Sequence, residues 1–294
     1  MTFFLNERGV LRYISPVYSI EDMDLKKEDA NKISVNLSPS SLNLYYQSPL
    51  LFYLTYLAKA PEDTPVPVCY GLSGQIIHSC LEKYAKREID NAQTFLHLIN
   101  EWGNKNLHVH KDVKGNVLDK EEYLKALAHG IRIVDQHENC ICEESISLPF
   151  KENELMEIGL KGVIDLQAVE KESNQLVIID YKTSNKVDKG EDFTRQALFY
   201  NLLIHKKKNV LPSKTNFHYL KLGQSKGYSF GLQDIENFYK ELENVADQIL
   251  SFGKVMERYP IGNVEGLFNS RKQACLKEIA KRKEFERLYK LTQL

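Results

Sequence analysis

The chain has 294 residues, of which 43% are hydrophobic and 27% charged, with a formal net charge of −1. That balance fits a soluble globular protein with a substantial core, organised as one large domain or two small ones. It argues against a blanket of phosphate contacts, though a local basic track remains compatible with it. Five cysteines at 69, 80, 140, 142 and 275 are odd in number and irregular in spacing, which suits reduced thiols rather than a disulfide framework. The first residues are too short an apolar run for a signal peptide, and no run approaches the roughly 18 residues of a membrane span. A cytoplasmic protein without membrane contact is expected.

Residues 1–36 combine short apolar stretches at 3–5 and 11–14 with an acidic, lysine-rich segment at 21–32, and read as an N-terminal extension to a single domain at 37–294. Ser38-Pro39 and Ser48-Pro49 each place an N-cap serine before a proline at the first helical position, so two helices start there. The aromatic run 50–57 belongs to the core. A proline-rich loop at 61–67 leads to a third helix beginning near Leu72, where Ile76, Ile77, Cys80, Leu81 and Tyr84 form an apolar stripe with His78 at its edge.

From about 85 to 138 the pattern is helical and charged, and reads as a helical insertion of the kind that forms a DNA-binding lobe. His108 and His110 have a zinc-like spacing only on a strand and only with further ligands. Cys140 and Cys142 alternate as in a strand and read as packed thiols. Glu143, Glu144 and Glu157 lie on the strands that follow, and any one of them is a candidate acid; the sequence does not choose among them. Beyond residue 200, a strand at 215–222 pairs through a glycine-containing turn with 228–230, and two long helices at about 232–257 and 270–291 close the chain. The last of these carries eight Lys/Arg against three Glu over 271–290, either a basic track or a solvated helix face.

The segment 159–200 carries the chemistry. Its first half reads as a hairpin of two strands, each with one aspartate, Asp165 and Asp180, among branched apolar residues. Side chains alternate faces along a strand, so Asp180 and Lys182 point the same way and Tyr181 points to the other face. Two carboxylates on adjacent strands can hold a divalent cation, and a neighbouring ammonium can orient a water or stabilise charge on a phosphate. Burying Asp180 behind Val177, Ile178 and Ile179 is costly unless a cation compensates it. Gln196 and Tyr200, four apart, share a face of the next helix.

These residues, in this order, resemble the PD-(D/E)xK nuclease superfamily, and within it the RecB-like branch that includes AddB-type and CRISPR adaptation nucleases. Gly74-Gln-Ile-Ile-His78 resembles its Gly-x-x-x-His helix and Gly162-Val-Ile-Asp165 its first acidic strand. Asp180-Tyr-Lys182-Thr183 resembles the Asp-x-Lys core, and Gln196-Ala-Leu-Phe-Tyr200 the helix that follows. A softer likeness spans residues 37–53. The resemblance implies an α/β, restriction-endonuclease-like core: a central mixed β-sheet flanked by helices, with long C-terminal helices. It implies catalysis by Asp165, Asp180 and Lys182, and Mg²⁺ or Mn²⁺ held by His78, Asp165, Asp180 and the Tyr181 carbonyl. Gln196, Tyr200 and Thr183 would contact the nucleic acid.

The implied activity is metal-dependent DNA hydrolysis at ends or single-stranded flaps in recombination, repair or mobile-element replication, with a helicase or recombination protein as partner. The alternative is a catalytically silent binding or scaffolding module that keeps the fold. Iron–sulfur members of the branch have a cysteine where Ser48 stands and three more near the C-terminus, where only Cys275 occurs. A thiolate-held cluster needs four cysteines. Purified protein is therefore expected to be colourless and free of stoichiometric iron and sulfide, which elemental analysis checks.

Overall fold

The computed structural model describes residues 32–64, 66–187, 190–265 and 269–291, together with a two-stranded antiparallel pair, β1 (Phe3–Leu5) and β2 (Leu11–Tyr13). In chain order there follow β3 (Ile33–Leu37), α1 (Pro39–Gln47), α2 (Pro49–Phe52) running into a π-helical turn, α3 (Val68–Ala85), α4 (Asn91–Asn104) and α5 (Lys120–Asp135). Then come β4 (His137–Glu152), β5 (Met156–Glu170), β6 (Gln175–Lys182), α6 (Glu191–Lys208), β7 (Lys214–Tyr219), β8 (Gln224–Tyr228), α7 (Leu232–Phe252) and α8 (Lys272–Leu291). Ser38 and Ser48 accept the N–H groups of Ser41 and Leu51, as the two Ser-Pro starts require.

Six strands form one mixed sheet in the order β3-β5-β6-β7-β8, with β4 on the other edge of β5. β3 and β5 run parallel, as do β6 and β7, while β4, β5 and β6 are antiparallel in succession and β7 and β8 form a hairpin. Helices cover both faces. On one side α2, α6 and α7 pack Phe52, Phe199, Leu203, Phe238 and Leu242 against Ile158, Leu160 and Ile178, with Leu42 and Tyr45 of α1 in the same core. On the other side α3, α4 and α5 pack Ile77, Leu81, Trp102, Tyr123 and Leu127 against Leu166, Val177 and Ile179. Alternate residues of β6 thus feed opposite cores, the mark of a sheet buried on both faces.

The sheet begins at Ile33, inside the segment read as an extension, because Val35 and Leu37 are fully or nearly fully buried beside β5. A five-residue strand with only two core positions has too short a period to stand out from sequence. Within the helical segment 85–138, α4 and α5 supply much of one face's packing. His108 and His110 lie in the loop between those helices, and Cys140 and Cys142 are half-buried on β4.

The chain ends meet through ordinary contacts. The Ser48 hydroxyl donates to the Ile261 carbonyl, Leu50 N–H to Pro260 O, and Asn263 N–H to Gln47 O. Buried Cys275 packs with Leu50, Leu51 and Leu54. Asp63 accepts the Gln273 and Ala274 N–H groups at the start of α8. Along α8, Lys272, Lys281, Arg282 and Arg287 pair with glutamates, so much of its basic character is spent within the fold. Among the described residues no helix is long and apolar enough to cross a membrane.

If β3 is an integral strand, Leu37→Ala should lower the unfolding free energy by about 2–5 kcal/mol through the transfer and cavity cost of a buried leucine. Ser34→Ala, on the exposed alternate position, should change it by less than about 0.5 kcal/mol. Urea unfolding of both variants checks this.

Candidate functional site

The site forms where the sheet comes apart. β5 pairs with β6 only over Leu166–Glu170 and with β3 only over Met156–Leu160, so its residues 161–165 have no strand on that edge. The side-chain alternation of β5 also changes phase here. Ile164 belongs to the core under α6 and α7, yet Leu166, two residues on, belongs to the core under α3 and α5. On β4, Glu143 takes a left-handed backbone with φ 51°, and it and Asp165 drop out of the ladder between the Cys142–Leu166 and Glu144–Ile164 pairs. Such a conformation is uncommon for a non-glycine residue. The combined break throws Glu143 and Asp165 toward α3.

Beyond the gap β6 continues alone on that side, leaving the Tyr181 N–H and C=O without a ladder partner. Side chains satisfy both: Tyr181 N–H donates to Asp165 Oδ2 at 2.8 Å, and His78 Nε2 donates to Tyr181 O at 3.0 Å. His78 Nδ1 then faces Asp165 Oδ1 at 3.4 Å and Glu143 Oε1 at 3.7 Å. α3 lies against the end of β6 here: a Cβ at Gly74, one turn before His78, would stand in ordinary contact 3.6 Å from Thr183 Oγ1.

Asp180 and Lys182 face the other helical layer. The Lys182 ammonium is 2.6 Å from Asp180 Oδ1 and donates to Gln196 Oε1 at 3.3 Å. Gln196 Nε2 donates to Asp180 Oδ2 at 2.8 Å and to the Tyr200 hydroxyl at 2.7 Å, and that hydroxyl reaches Asp180 Oδ2 at 3.4 Å. Burial raises the Asp180 carboxyl to about 6; Lys182 opposes the rise and Asp165 adds to it.

His78, Glu143 and Asp165 each offer one ligand atom, all within 4.8 Å of one another. Two carboxylate oxygens and an imidazole nitrogen suit a divalent cation that prefers oxygen ligands and tolerates nitrogen, while Tyr181 O is taken by the opposite ring nitrogen of His78. The donor set fits Mg²⁺ or Mn²⁺. Without a cation protonated His78 offsets part of the carboxylate charge: burial, the largest influence, would lower its pKa, but the hydrogen bond and charge of Asp165, then Glu143 and Asp180, raise it to about 11.

The residues that the sequence assigns to the site, His78, Asp165, Asp180, Tyr181, Lys182, Thr183, Gln196 and Tyr200, lie around this gap. The carboxylates nearest His78 belong to Asp165 and Glu143, while Asp180 is engaged by Lys182 and Gln196. Tyr200 is 5% exposed, and its hydroxyl donates to Asp180 Oδ2. Gln196 likewise spends its amide on Asp180, Lys182 and Tyr200. Thr183 is half-buried at the end of β6. Of the three candidate acids, Glu143 joins the cluster. Glu144 is held by Lys207, Lys208 and Gln167, and Glu157 lies exposed on β5. The left-handed turn that selects Glu143 leaves no mark in the sequence.

The sequence profile of the PD-(D/E)XK nuclease superfamily matches residues 36–285. Among solved structures, a protein from Eubacterium rectale named "Putative exonuclease" is 11% identical, with 87% of this chain and 91% of that one covered at a TM-score of 0.48. The structure of SSO0001 is 15% identical over 60% of this chain and 86% of that one, at a TM-score of 0.30. No curated protein is similar enough to match.

The pKa of His78 sets a pH dependence. Its folded-state value of about 11 lies above its ordinary 6.5, so its contribution to stability is fully present below pH 6.5 and is lost as pH rises through about 11. In EDTA, denaturant unfolding from pH 6 to pH 11 should show this decline, and His78→Gln should flatten it. Mn²⁺ titrated at neutral pH should release a proton from the wild type and none from that variant, because a ligating imidazole must be neutral.

Proposed function

The chain belongs to the PD-(D/E)XK nuclease superfamily, and from that premise we propose that it is a divalent-metal-dependent nuclease hydrolysing DNA phosphodiester bonds at ends or single-stranded flaps. The observation that carries this reading is the convergence of His78, Glu143 and Asp165 within 4.8 Å, beside the Asp180–Lys182 pair, at a gap in the sheet. The choice of DNA, of ends and flaps, and of recombination, repair or mobile-element replication in the cytoplasm rests on the likeness of the four ordered motifs to the RecB-like branch. A helicase or recombination protein is the partner that likeness suggests.

Each side chain has a distinct task. When bound, the cation neutralises phosphate charge and acidifies a water. Asp165 has one oxygen fixed by the Tyr181 N–H and the other directed to His78, so its carboxylate stays in one orientation. His78 releases its proton and is kept in place by the Tyr181 carbonyl. Glu143 completes the donor set from β4. Lys182 holds a positive charge beside the reacting phosphate, where an N–H can orient the attacking water or stabilise the developing negative charge. Asp180, itself fixed by Gln196 and Tyr200, sets where that ammonium stands.

This division of labour separates the variants. Lys182→Ala should lower Mg²⁺- or Mn²⁺-dependent cleavage by about 10²-fold or more while leaving Mn²⁺ affinity within about twofold, since the ammonium acts mainly in the transition state. Asp165→Ala should weaken both cleavage and Mn²⁺ binding. The measurements are nucleotide release from labelled single- and double-stranded DNA, with EDTA controls, and calorimetric titration of Mn²⁺. Wild-type protein that binds DNA but cleaves neither form with either metal would replace the nuclease reading with that of a binding module.

A further inference from the structure

We infer that Phe193, together with Phe217, is a positioning residue for the Lys182 ammonium, an inference that rests on the nuclease reading of the same site. The two rings stack on one another with centroids 5.0 Å apart and planes 15° apart. Lys182 Nζ lies 4.9 Å from the Phe193 centroid and 5.2 Å from that of Phe217, so the three centres form a nearly equilateral triangle. Both distances fall inside the roughly 6 Å range over which a ring quadrupole attracts an ammonium.

What distinguishes rings from further oxygens is the donor count. A lysine ammonium has three N–H groups and no acceptor. Gln196 Oε1 takes one of them at 3.3 Å, while Asp180 Oδ1, 2.6 Å away, pairs with the charge without accepting a hydrogen bond. Further oxygens would fix the ammonium at the expense of its remaining donors. Two aromatic rings fix it by attraction to the cation, and leave an N–H for a water or a phosphate oxygen.

The fold supplies the two rings from separate elements. Phe193 lies one turn before Gln196 on α6, so both face the same side chain. Phe217 is the register partner of Asp180 on the parallel neighbour β7 and is fully buried. It forms the fixed wall, with Tyr219 and Tyr228 behind the pair. Phe193 is half-buried and is the ring that can be changed without opening the main cores.

The test replaces Phe193 by leucine, tyrosine and tryptophan, and by phenylalanines carrying one, two or three fluorines, which weaken the quadrupole with little change of shape. In steady-state cleavage of labelled DNA, Phe193→Leu should lower kcat by about fivefold, the size of a partly exposed cation–π contact. KM and Mn²⁺ affinity should stay within about twofold, since the ring acts through Lys182 and not on substrate or cation. Tyrosine and tryptophan should restore kcat, and the fluorinated series should lower it in graded steps.

A kcat unchanged in leucine and in the fluorinated proteins overturns the inference. So does a loss that the aromatic variants fail to restore, which marks packing alone, or a rise in KM at constant kcat, which marks contact with substrate. One readout is independent of turnover. Ring currents should shift the NMR signals of the Lys182 ε-methylene in the wild type, and the shift should shrink in Phe193→Leu, where Phe217 alone remains beside the ammonium; its absence in wild type overturns the inference even if cleavage is observed. Wild-type protein inactive with either metal would instead overturn the nuclease reading, and the NMR signal would still decide where the ammonium sits.

Discussion

The parting of β5 from β6 at Asp165 is the constraint on which the rest of the site depends. A continuous sheet is a wall, and helices packed on its opposite faces cannot contribute side chains to one place. Here the ladder ends at Leu166–Ile179, and the edge of β5 stays open until β3 pairs with it at Leu160. His78 comes to this opening from the layer of α3, and Gln196 and Tyr200 from the layer of α6. Ending the ladder leaves the Tyr181 peptide groups unpaired in a partly buried place, a cost that requires polar partners. Asp165 and His78 are those partners, so the groups that can hold a cation also repair the sheet.

Two electrostatic arrangements share this opening. In the cluster of Asp165, Glu143 and His78 a proton on the imidazole offsets one of the two carboxylate charges, and an imidazole that ligates a cation must give that proton up. The pair of Asp180 and Lys182 neutralises itself across 2.6 Å. Its burial favours a protonated carboxyl, and the ammonium, Gln196 and Tyr200 work against that by stabilising the charged form.

The surroundings are built to keep those groups still. Phe217 and Tyr219 on β7 are fully buried and support Phe193 from beneath. Glu144, next to Glu143, is anchored by Lys207, Lys208 and Gln167, and the two lysines outweigh its burial to bring its carboxyl down to about 2. That anchor fixes β4 immediately beside its left-handed residue. At the chain ends, hydrogen bonds from Ser48, Leu50 and Asn263 and the packing of Cys275 join α1 and α2 to the segment before α8.

The amino-acid sequence alone determined the main elements and their chemistry. Serine-proline starts placed α1 and α2, the apolar stripe from Ile76 to Tyr84 placed α3, and the run from Val177 to Lys182 marked a buried strand ending in charge. These signals are local: caps, periodicity and residue type act within one or two turns of chain. The ordered motifs around His78, Asp165, Lys182 and Gln196 pointed to the superfamily for the same reason, each being a short segment of fixed spacing. Only the tertiary structure decided that Glu143, rather than Glu144 or Glu157, stands with His78, that Tyr200 is buried against Asp180, and that Phe193 and Phe217 flank Lys182. Those facts depend on a change of pleat phase, on a left-handed backbone at a glutamate, and on register between strands far apart in sequence. The same holds for β3, whose burial comes from β5 and not from its own five residues. Contacts between distant segments are fixed by what the whole chain buries, and no local pattern carries them.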